Sequence, residues 1–187
     1  MIVGEKVRLR PLEREDLPRC VRWFSDPEVR RHLTIYIPFS LAQEERWYEN
    51  VLDRLERNSD VLLAIETSEG VHIGNLGLHT IDWKNRAAEL GITIGEKEYW
   101  GQGYGTDAIR TLLRLAFEEM NLHRVQLRVD VDNARGVRCY EKCGFQTEGT
   151  LRDVVFREGR YYDQYLMSIL RPEFKGEQVD AGHNQTI

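Results

Sequence analysis

Three glycines alternate in the stretch Tyr99-Trp100-Gly101-Gln102-Gly103-Tyr104-Gly105-Thr106-Asp107-Ala108. The apolar run 90–94 precedes this stretch and predicts a strand, and residues 106–120 follow it with a helical pattern. Glycine lets the backbone approach a ligand closely and adopt positive φ. The free N–H groups of the first helical turn then point at that ligand, and the helix dipole favours a negative charge. The order of strand, glycine turn and helix therefore predicts a site for a phosphate or a pyrophosphate.

Two better-known phosphate motifs do not match this loop. A P-loop has Lys-Ser/Thr after its last glycine, where this chain has Thr106-Asp107. A dinucleotide fingerprint has the spacing Gly-x-Gly-x-x-Gly in the first βα unit, whereas the spacing here is shorter and lies mid-chain. A plain tight turn would contain the same glycines, so the motif alone leaves that interpretation open. If an anion binds, a cradle of backbone N–H groups without a lysine fits a pyrophosphate held without Mg²⁺.

The composition is typical of an ordinary soluble domain. The chain has 187 residues, of which 41% are hydrophobic and 30% are charged. Its net charge of −5 argues against a nucleic-acid partner. No apolar run has the length of a membrane span, and residues 1–6 lack the apolar core of a signal peptide. The three cysteines fit a reducing compartment, so we expect a cytoplasmic protein, with Cys139 and Cys143 as packing residues on a helix.

Hydrophobic periodicity predicts one α+β domain over residues 1–171. Helical patterns cover residues 13–26, 40–58, 106–120 and 133–143, and strand patterns cover 7–10, 61–66, 71–81, 86–94, 123–131, 145–156 and 161–170. Short turns join the strands of the middle series, and the last two strands form a hairpin. We therefore expect a mixed, mostly antiparallel central sheet flanked by helices. Residues 172–187 are polar with little periodicity and are predicted to form a flexible tail.

A second motif lies downstream, in Asn133-Ala134-Arg135-Gly136-Val137-Arg138-Cys139-Tyr140-Glu141-Lys142-Cys143-Gly144-Phe145. The two motifs together resemble the GCN5-related N-acetyltransferases over residues 5–171. The positions that match the family's later motif are Asn133, Tyr140, Lys142, Gly144 and Phe145, and residues 100–105 match its pyrophosphate loop except at the first position. The chain looks most similar to the subgroup of ribosomal-protein N-terminal and spermidine acetyltransferases. Trp100 replaces the family's Arg or Gln, and Gly136 replaces its Ser, which removes a hydroxyl.

The resemblance implies acetyl-CoA as the co-substrate and no metal. The family pairs the pantetheine arm with a strand edge, which corresponds here to the backbone of Ile92, Thr93 and Ile94. The implied pyrophosphate loop consists of Trp100, Gly101, Gln102, Gly103, Tyr104, Gly105 and Thr106. Asn133 is expected to cap the following helix and, as in the family, to bond the pantetheine arm. His72, His79 and His123 lack metal-site spacing, so surface or core roles are favoured for them.

Acetyl transfer to an amine needs a base for the ammonium proton and an acid for the leaving thiolate. Strand alternation places Glu89 with Ala87 and Gly91, opposite the larger apolar side chains of the same strand. In the resembling family a glutamate on this strand often acts through water, so we predict Glu89 as the base. Tyr140 matches the tyrosine that the family places near the thioester sulfur, so we predict it as the acid. A carboxylate on a solvated face and a packed tyrosine are the structural alternatives.

The acceptor is the least specified part of the prediction. Residues 33–39, Leu-Thr-Ile-Tyr-Ile-Pro-Phe, form an apolar connector that is poorly suited to a polycation. This connector favours a peptide N-terminus, an amino acid or a small amine as the acceptor. A polyamine or aminoglycoside acetyltransferase and a non-catalytic acyl-CoA sensor are the alternatives. We expect no nucleic-acid or membrane partner, and a homodimer as the candidate assembly.

Overall fold

The computed structural model describes residues 1–176, and residues 177–187 lie outside the described part. The strands are β1 (Ile2–Val3), β2 (Val7–Pro11), β3 (Val61–Thr67), β4 (His72–Asp82), β5 (Ala87–Ile94), β6 (Arg124–Asp130), β7 (Gln146–Arg157) and β8 (Arg160–Leu170). The α-helices are α1 (Leu17–Ser25), α2 (Pro27–Arg30), α3 (Leu41–Glu56), α4 (Tyr104–Arg114) and α5 (Ala134–Lys142). None of these helices is both long enough and apolar enough to cross a membrane.

The strands of the described chain form one eight-stranded sheet in the order β1-β2-β3-β4-β5-β6-β8-β7. Within residues 1–176, β5 and β6 are the one parallel pair, and α4 lies in the connection between them. The other neighbouring strands are antiparallel. A parallel pair needs such a long crossover, whereas antiparallel neighbours can be joined by short turns. The predicted α+β class, with a mixed and mostly antiparallel sheet flanked by helices, is confirmed.

Local sequence signals set the helix ends. Ser40 and Gln43 form a capping box before α3, in which Gln43 N donates to Ser40 Oγ at 3.3 Å and Ser40 N donates to Gln43 Oε1 at 3.0 Å. α4 begins directly after Gly103, whose φ of +89° puts it in the left-handed region. Asn133 caps α5 with its side chain, and Gly144 follows α5 with a φ of +95°. The glycine loop and the second motif therefore both lead into or out of helices.

The sheet separates two apolar layers. On one face, α4 packs with Leu112 and Leu113 against strand residues such as Leu76 and Leu90. On the other face, α1, α2 and α3 form a second cluster that includes Trp23. Val137 and Tyr140 of α5 also pack against the first cluster, so α4 and α5 lie on one face of the sheet and α1–α3 lie on the other.

Most predicted elements are found with ends that shift by one to four residues, and some local features differ from the sequence prediction. β1 was not predicted, because two residues carry no measurable periodicity. Pro11 lies within β2 rather than after it, and it pairs with Leu63 at a position that β1 does not reach. The helix predicted to end near Met120 changes at Leu115–Glu119 into a π-helical turn. An apolar face continues through both helix types, so its spacing does not reveal the change.

The predicted tail begins with packed residues. Arg171–Glu173 form a 3-10 turn, and the ring centroid of Phe174 lies 5.4 Å from that of Phe117 in the core. Packed structure therefore continues beyond residue 171, the predicted end of the domain. The rest of the predicted tail, residues 177–187, lies outside the described residues.

Candidate active site

β5 and β6 separate part-way along their length. Their parallel ladder joins Ala87 to Arg124, Ala88 to Val125 and Glu89 to Gln126. On its other side, β5 stays paired with β4 as far as Ile94. Gly95 N donates to Ile73 O of β4 at 2.8 Å. Because the main-chain N–H and C=O groups of successive residues point to opposite sides of a strand, those of Thr93 point toward β4, and those of Ile92 and Ile94 point toward β6. The described ladder has no pair between β6 and either isoleucine, so their main-chain groups border a gap.

A cavity of about 340 Å³, here called the loop cavity, lies between the glycine loop and α5. The predicted cofactor residues that line it are Ile92, Ile94, Trp100, Gly101, Gly103, Gly105, Thr106, Asn133 and Tyr140. The side chains of Gln102 and Tyr104 are engaged elsewhere. Gln102 donates a hydrogen bond to Glu98 O, and Tyr104 packs edge-on against Tyr99 with ring centroids 5.1 Å apart. Thr93 lines a different cavity, described below, and directs its backbone toward β4.

Backbone geometry and charge suit the loop cavity to an anion. Gly101 and Gly103 have φ values of +74° and +89°. A Cβ added at Gly101 would meet nothing within 4 Å, so the surface at that position is formed by backbone. α5 adds Arg135, Arg138 and Lys142 at a spacing that places them on one side of the helix. Free N–H groups at the start of α4 and three nearby cations are the groups that a pyrophosphate needs.

A second cavity of about 570 Å³ lies on the α1–α3 side of the sheet. We call it the connector cavity, because Leu33, Thr34 and Ile35 of the α2–α3 connector line it. Its other apolar residues include Phe24 and Trp47. Its polar residues include Glu28, His79, Glu89, Asp130 and Gln164.

The two cavities meet at the gap between β5 and β6. Six residues line both of them, namely Ile92, Ile94, Trp100, Asn133, Arg135 and Tyr140. A ligand bound in the loop cavity can therefore present one end to a second molecule in the connector cavity. Tyr140 lies at this junction, whereas Glu89 lies on the connector side alone.

Tyr140 is a protonated phenol in an apolar setting. Its ring packs edge-on against Phe145 with centroids 5.9 Å apart. Burial raises the pKa of the Tyr140 phenol, so the group remains protonated at neutral pH. A neutral O–H at the junction can donate a hydrogen bond or a proton to a sulfur or oxygen placed there.

Glu89 has a neighbour that the sequence did not assign to the site. His79 of β4 is its register partner, so the two side chains lie side by side on one face of the sheet. His79 Nδ1 lies 3.2 Å from Oδ2 of the buried Asp60, which orients the imidazole. A Cβ at Gly91 would lie 3.2 Å from His79 Nε2, so the missing side chain at Gly91 leaves room for the ring. His79 and Glu89 are brought together by the pairing register of β4 and β5, which the sequence alone does not give.

Asn133 uses its side chain locally. Gly136 N donates to Asn133 Oδ1 at 3.0 Å, as expected of a helix cap, and this leaves Nδ2 available at the junction. A Cβ at Gly136 would lie 2.7 Å from Asn133 Nδ2. The glycine that departs from the family motif therefore makes room for this conformation of the asparagine.

Asp130 anchors a polar network at the wall of the connector cavity. His32 Nδ1 lies 2.9 Å from Asp130 Oδ2, and Gln164 donates to Oδ1 at 3.0 Å. Arg157 donates to both Asp130 and Asp132. Burial opposes ionisation, but these hydrogen bonds lower the pKa of Asp130 to about 2. His32, Asp130 and Asp132 could together hold a metal ion, but the Arg157 guanidinium already pairs with both carboxylates, which makes this an ion-pair network.

The two cysteines of α5 differ in role. Cys143 is buried in the core, as the packing prediction expects. Cys139 instead lines the loop cavity, with its Sγ 3.4 Å from Thr106 Oγ1. The neighbouring Cys143 side chain, the Thr106 hydroxyl and the charge of Lys142 lower the pKa of the Cys139 thiol. Packing alone therefore does not describe Cys139.

Known proteins resemble this chain in sequence and in fold. A family model described as an acetyltransferase (GNAT) domain matches residues 6–146. The chain is 32% identical over 177 residues to spermidine N(1)-acetyltransferase of Vibrio cholerae, covering 92% of this chain and 97% of that protein. It is 31% identical over 179 residues to a Bacillus subtilis protein provisionally named a ribosomal N-acetyltransferase, covering 94% and 97% respectively. A crystal structure of the Vibrio cholerae spermidine enzyme, in complex with CoA and spermine, matches with a TM-score of 0.81 at 31% identity, covering 89% of this chain and 96% of that chain.

Proposed function

The chain belongs to the GNAT acetyltransferase family, and from this membership we propose that it transfers an acetyl group from acetyl-CoA to a primary amine, with Glu89 as the base and Tyr140 as the acid. The observation that carries the proposal is the meeting of two cavities at the gap between β5 and β6, with Tyr140 at the junction. A single cavity would suffice for a protein that only binds a cofactor. Two cavities that share a wall allow direct attack of one ligand on another.

The loop cavity fits the cofactor. Its backbone floor at Gly101 and Gly103 and the nearby N-terminus of α4 suit the pyrophosphate, and the free edge at Ile92 suits an extended amide-bearing arm. Acetyl-CoA supplies an activated acyl thioester when it is bound there. Ile92 and the N–H of Ile94, rather than Thr93, face that arm, because Ile94 O already accepts a hydrogen bond from Trp100 Nε1.

The proposed acid and base lie in suitable places. Tyr140, kept protonated by burial, can hydrogen-bond to a departing thiolate and transfer its proton to it. Glu89 lines the cavity in which an amine would lie, and it can accept the ammonium proton through a water. The open main-chain groups of Ile92 are available to stabilise charge at the reacting carbonyl.

Charge pairing in the connector cavity supports an acceptor with one amine and an apolar body. The carboxylates that line it are Glu28, Glu89 and Asp130. Lys97 pairs with Glu28 at 3.0 Å while also pairing with Asp26 at 2.8 Å, and Arg157 pairs with both Asp130 and Asp132. Among the described residues, Glu89 is the one cavity carboxylate without an ion-pair partner. One free carboxylate and an apolar wall suit a peptide N-terminus with an apolar side chain better than a polycation.

A polyamine is the second candidate acceptor. The Vibrio cholerae relative is named a spermidine acetyltransferase, and its structure contains spermine. A polyamine would have to place its additional ammonium groups near the paired carboxylates Glu28 and Asp130. Homodimer formation and a cytoplasmic location remain predictions.

A specificity ratio tests the choice of acceptor. We expect kcat/KM to be higher for a short peptide with a free, apolar N-terminal residue than for spermidine. Ile35→Glu adds a carboxylate to the connector cavity and should shift the ratio toward spermidine. Ile37→Glu makes the same charge change at a connector residue that is 57% exposed and does not line this cavity, so it should leave the ratio unchanged. A wild-type preference for spermidine would favour the second candidate.

A further inference from the structure

Arg135 carries hydrogen-bond donors that the described protein does not use. Its guanidinium carbon lies 3.7 Å from the centroid of the Trp100 ring. Across residues 1–176 no acceptor receives a hydrogen bond from this guanidinium, and no carboxylate forms an ion pair with it. Partial burial lowers the pKa of Arg135, and the acidic group that acts against this shift, Glu28, is itself paired with Lys97. Arg135 is exposed and lines the loop cavity, so its free N–H groups can bind an anion that enters there.

The stack on Trp100 fixes where the guanidinium lies. Trp100 Nε1 donates to Ile94 O at 2.8 Å, so the indole is anchored to the end of β5. Stacking occupies the flat face of a guanidinium and leaves its N–H edges free. The glycine loop, residues 99–106, contains no lysine or arginine. Stacking on Trp100 places the guanidinium of Arg135, from the first turn of α5, beside this loop.

We propose that Arg135, held on Trp100, donates hydrogen bonds to the diphosphate of acetyl-CoA, and that Trp100 is the positioning residue for this contact. The proposal rests on the proposed function, because it concerns the same cofactor. A guanidinium matches pairs of phosphate oxygens with two parallel N–H groups. Arg138 and Lys142 line the same cavity, but neither stacks on an aromatic ring in the described part of the chain. Arg135 is therefore the preorganised cation of the three.

Titration calorimetry with three ligands tests the target of Arg135. CoA has the diphosphate and the 3′-phosphate, dephospho-CoA has the diphosphate alone, and pantetheine has neither. Arg135→Gln should weaken CoA and dephospho-CoA equally, by about tenfold or more, and leave pantetheine unchanged. Arg46→Gln removes one charge from an exposed position on α3 and should change none of the three affinities. A loss confined to CoA would assign Arg135 to the 3′-phosphate, and an equal loss for pantetheine would assign it a structural role; either result overturns the proposal.

Variants of Trp100 test the positioning role. Trp100→Leu removes the aromatic surface and should weaken CoA and dephospho-CoA as Arg135→Gln does, whereas Trp100→Phe keeps a ring but loses the Nε1 bond to Ile94 O and should show a smaller loss. Combining Trp100→Leu with Arg135→Gln should weaken CoA no further than Arg135→Gln alone. Fully additive losses would overturn the positioning role. If the wild type fails to bind CoA, the proposed function itself fails; if it binds and Arg135→Gln binds equally well, only this inference fails.

Discussion

Tyr140 is the one proposed catalytic side chain that lines both cavities. Its hydroxyl is the group that distinguishes a proton donor from a packing residue. The ring packs on Phe145 whether or not the hydroxyl is present, so Tyr140→Phe removes the donor and keeps the apolar contact. At the scale of a single residue, chemistry and packing can therefore be separated here.

For Tyr140→Phe we expect turnover to fall by about a hundredfold, the usual contribution of a general acid, while CoA affinity changes little. Rapid-quench measurement of the acetyl-transfer step, together with calorimetry of CoA binding, checks both parts. A variant with wild-type turnover would remove Tyr140 from the mechanism. A variant with strongly weakened CoA binding would make it a binding residue.

At the scale of an element, the loop that leads into the N-terminus of α4 depends on a glycine in the left-handed region. Gly103 has a φ of +89°, which costs other L-residues about 1–2 kcal/mol. Gly70 in the β3–β4 turn has a φ of +81° and lines neither cavity. The two positions share a backbone conformation, and only one of them borders the proposed pyrophosphate.

Gly103→Ala and Gly70→Ala should lower the free energy of unfolding by similar amounts, about 1–2 kcal/mol each. Only Gly103→Ala should also weaken CoA, because its loop must relax away from the conformation that presents the N–H groups. Urea unfolding and CoA calorimetry on both variants make the comparison. Equal CoA affinity in the two variants would argue against the loop as the pyrophosphate site.

α3 contains a buried carboxyl group without a partner. Glu44 is 3% exposed, and its Oε1 has no hydrogen-bond donor among the described residues. Burial raises the pKa of Glu44 to about 7. In the unfolded chain the Glu44 carboxyl has its ordinary pKa of 4.5. Glu44 therefore destabilises the fold progressively as the pH rises from about 4.5 to about 7, and the loss in free energy of unfolding is constant above that.

Glu44→Gln removes this ionisation and should raise the melting temperature at pH 8 by several degrees, with a smaller gain at pH 5. Glu56→Gln, at the exposed end of α3, is the matched control and should have little effect at either pH. Thermal unfolding followed by circular dichroism provides the measurement. A gain of equal size at both pH values would show that the effect does not come from ionisation.

At the scale of the whole molecule, most strands of the sheet and the place of the two motifs beside helix ends could be predicted from the sequence, because both depend on local patterns. Alternation placed Ala88 and Leu90 in the core face and Glu89 on the other, as the structure has them. The family resemblance implied a strand edge at residues 92–94, but hydrophobic patterns could not show that β5 separates from β6 there, since this depends on pairing between strands that are distant in the chain. The Arg135–Trp100 stack and the Arg157–Asp130 pair likewise require the tertiary fold.

Two ligands are proposed to meet and react at the gap between β5 and β6. The most direct test is amine-dependent release of CoA thiol from acetyl-CoA, with mass spectrometry of the acceptor, across peptides, amino acids, polyamines and aminoglycosides. We expect rapid thiol release with at least one amine class, stoichiometric N-acetylation of that amine, and no reaction with its N-blocked form. Binding of acetyl-CoA without amine-dependent release for any class would contradict it and would identify the protein as a sensor.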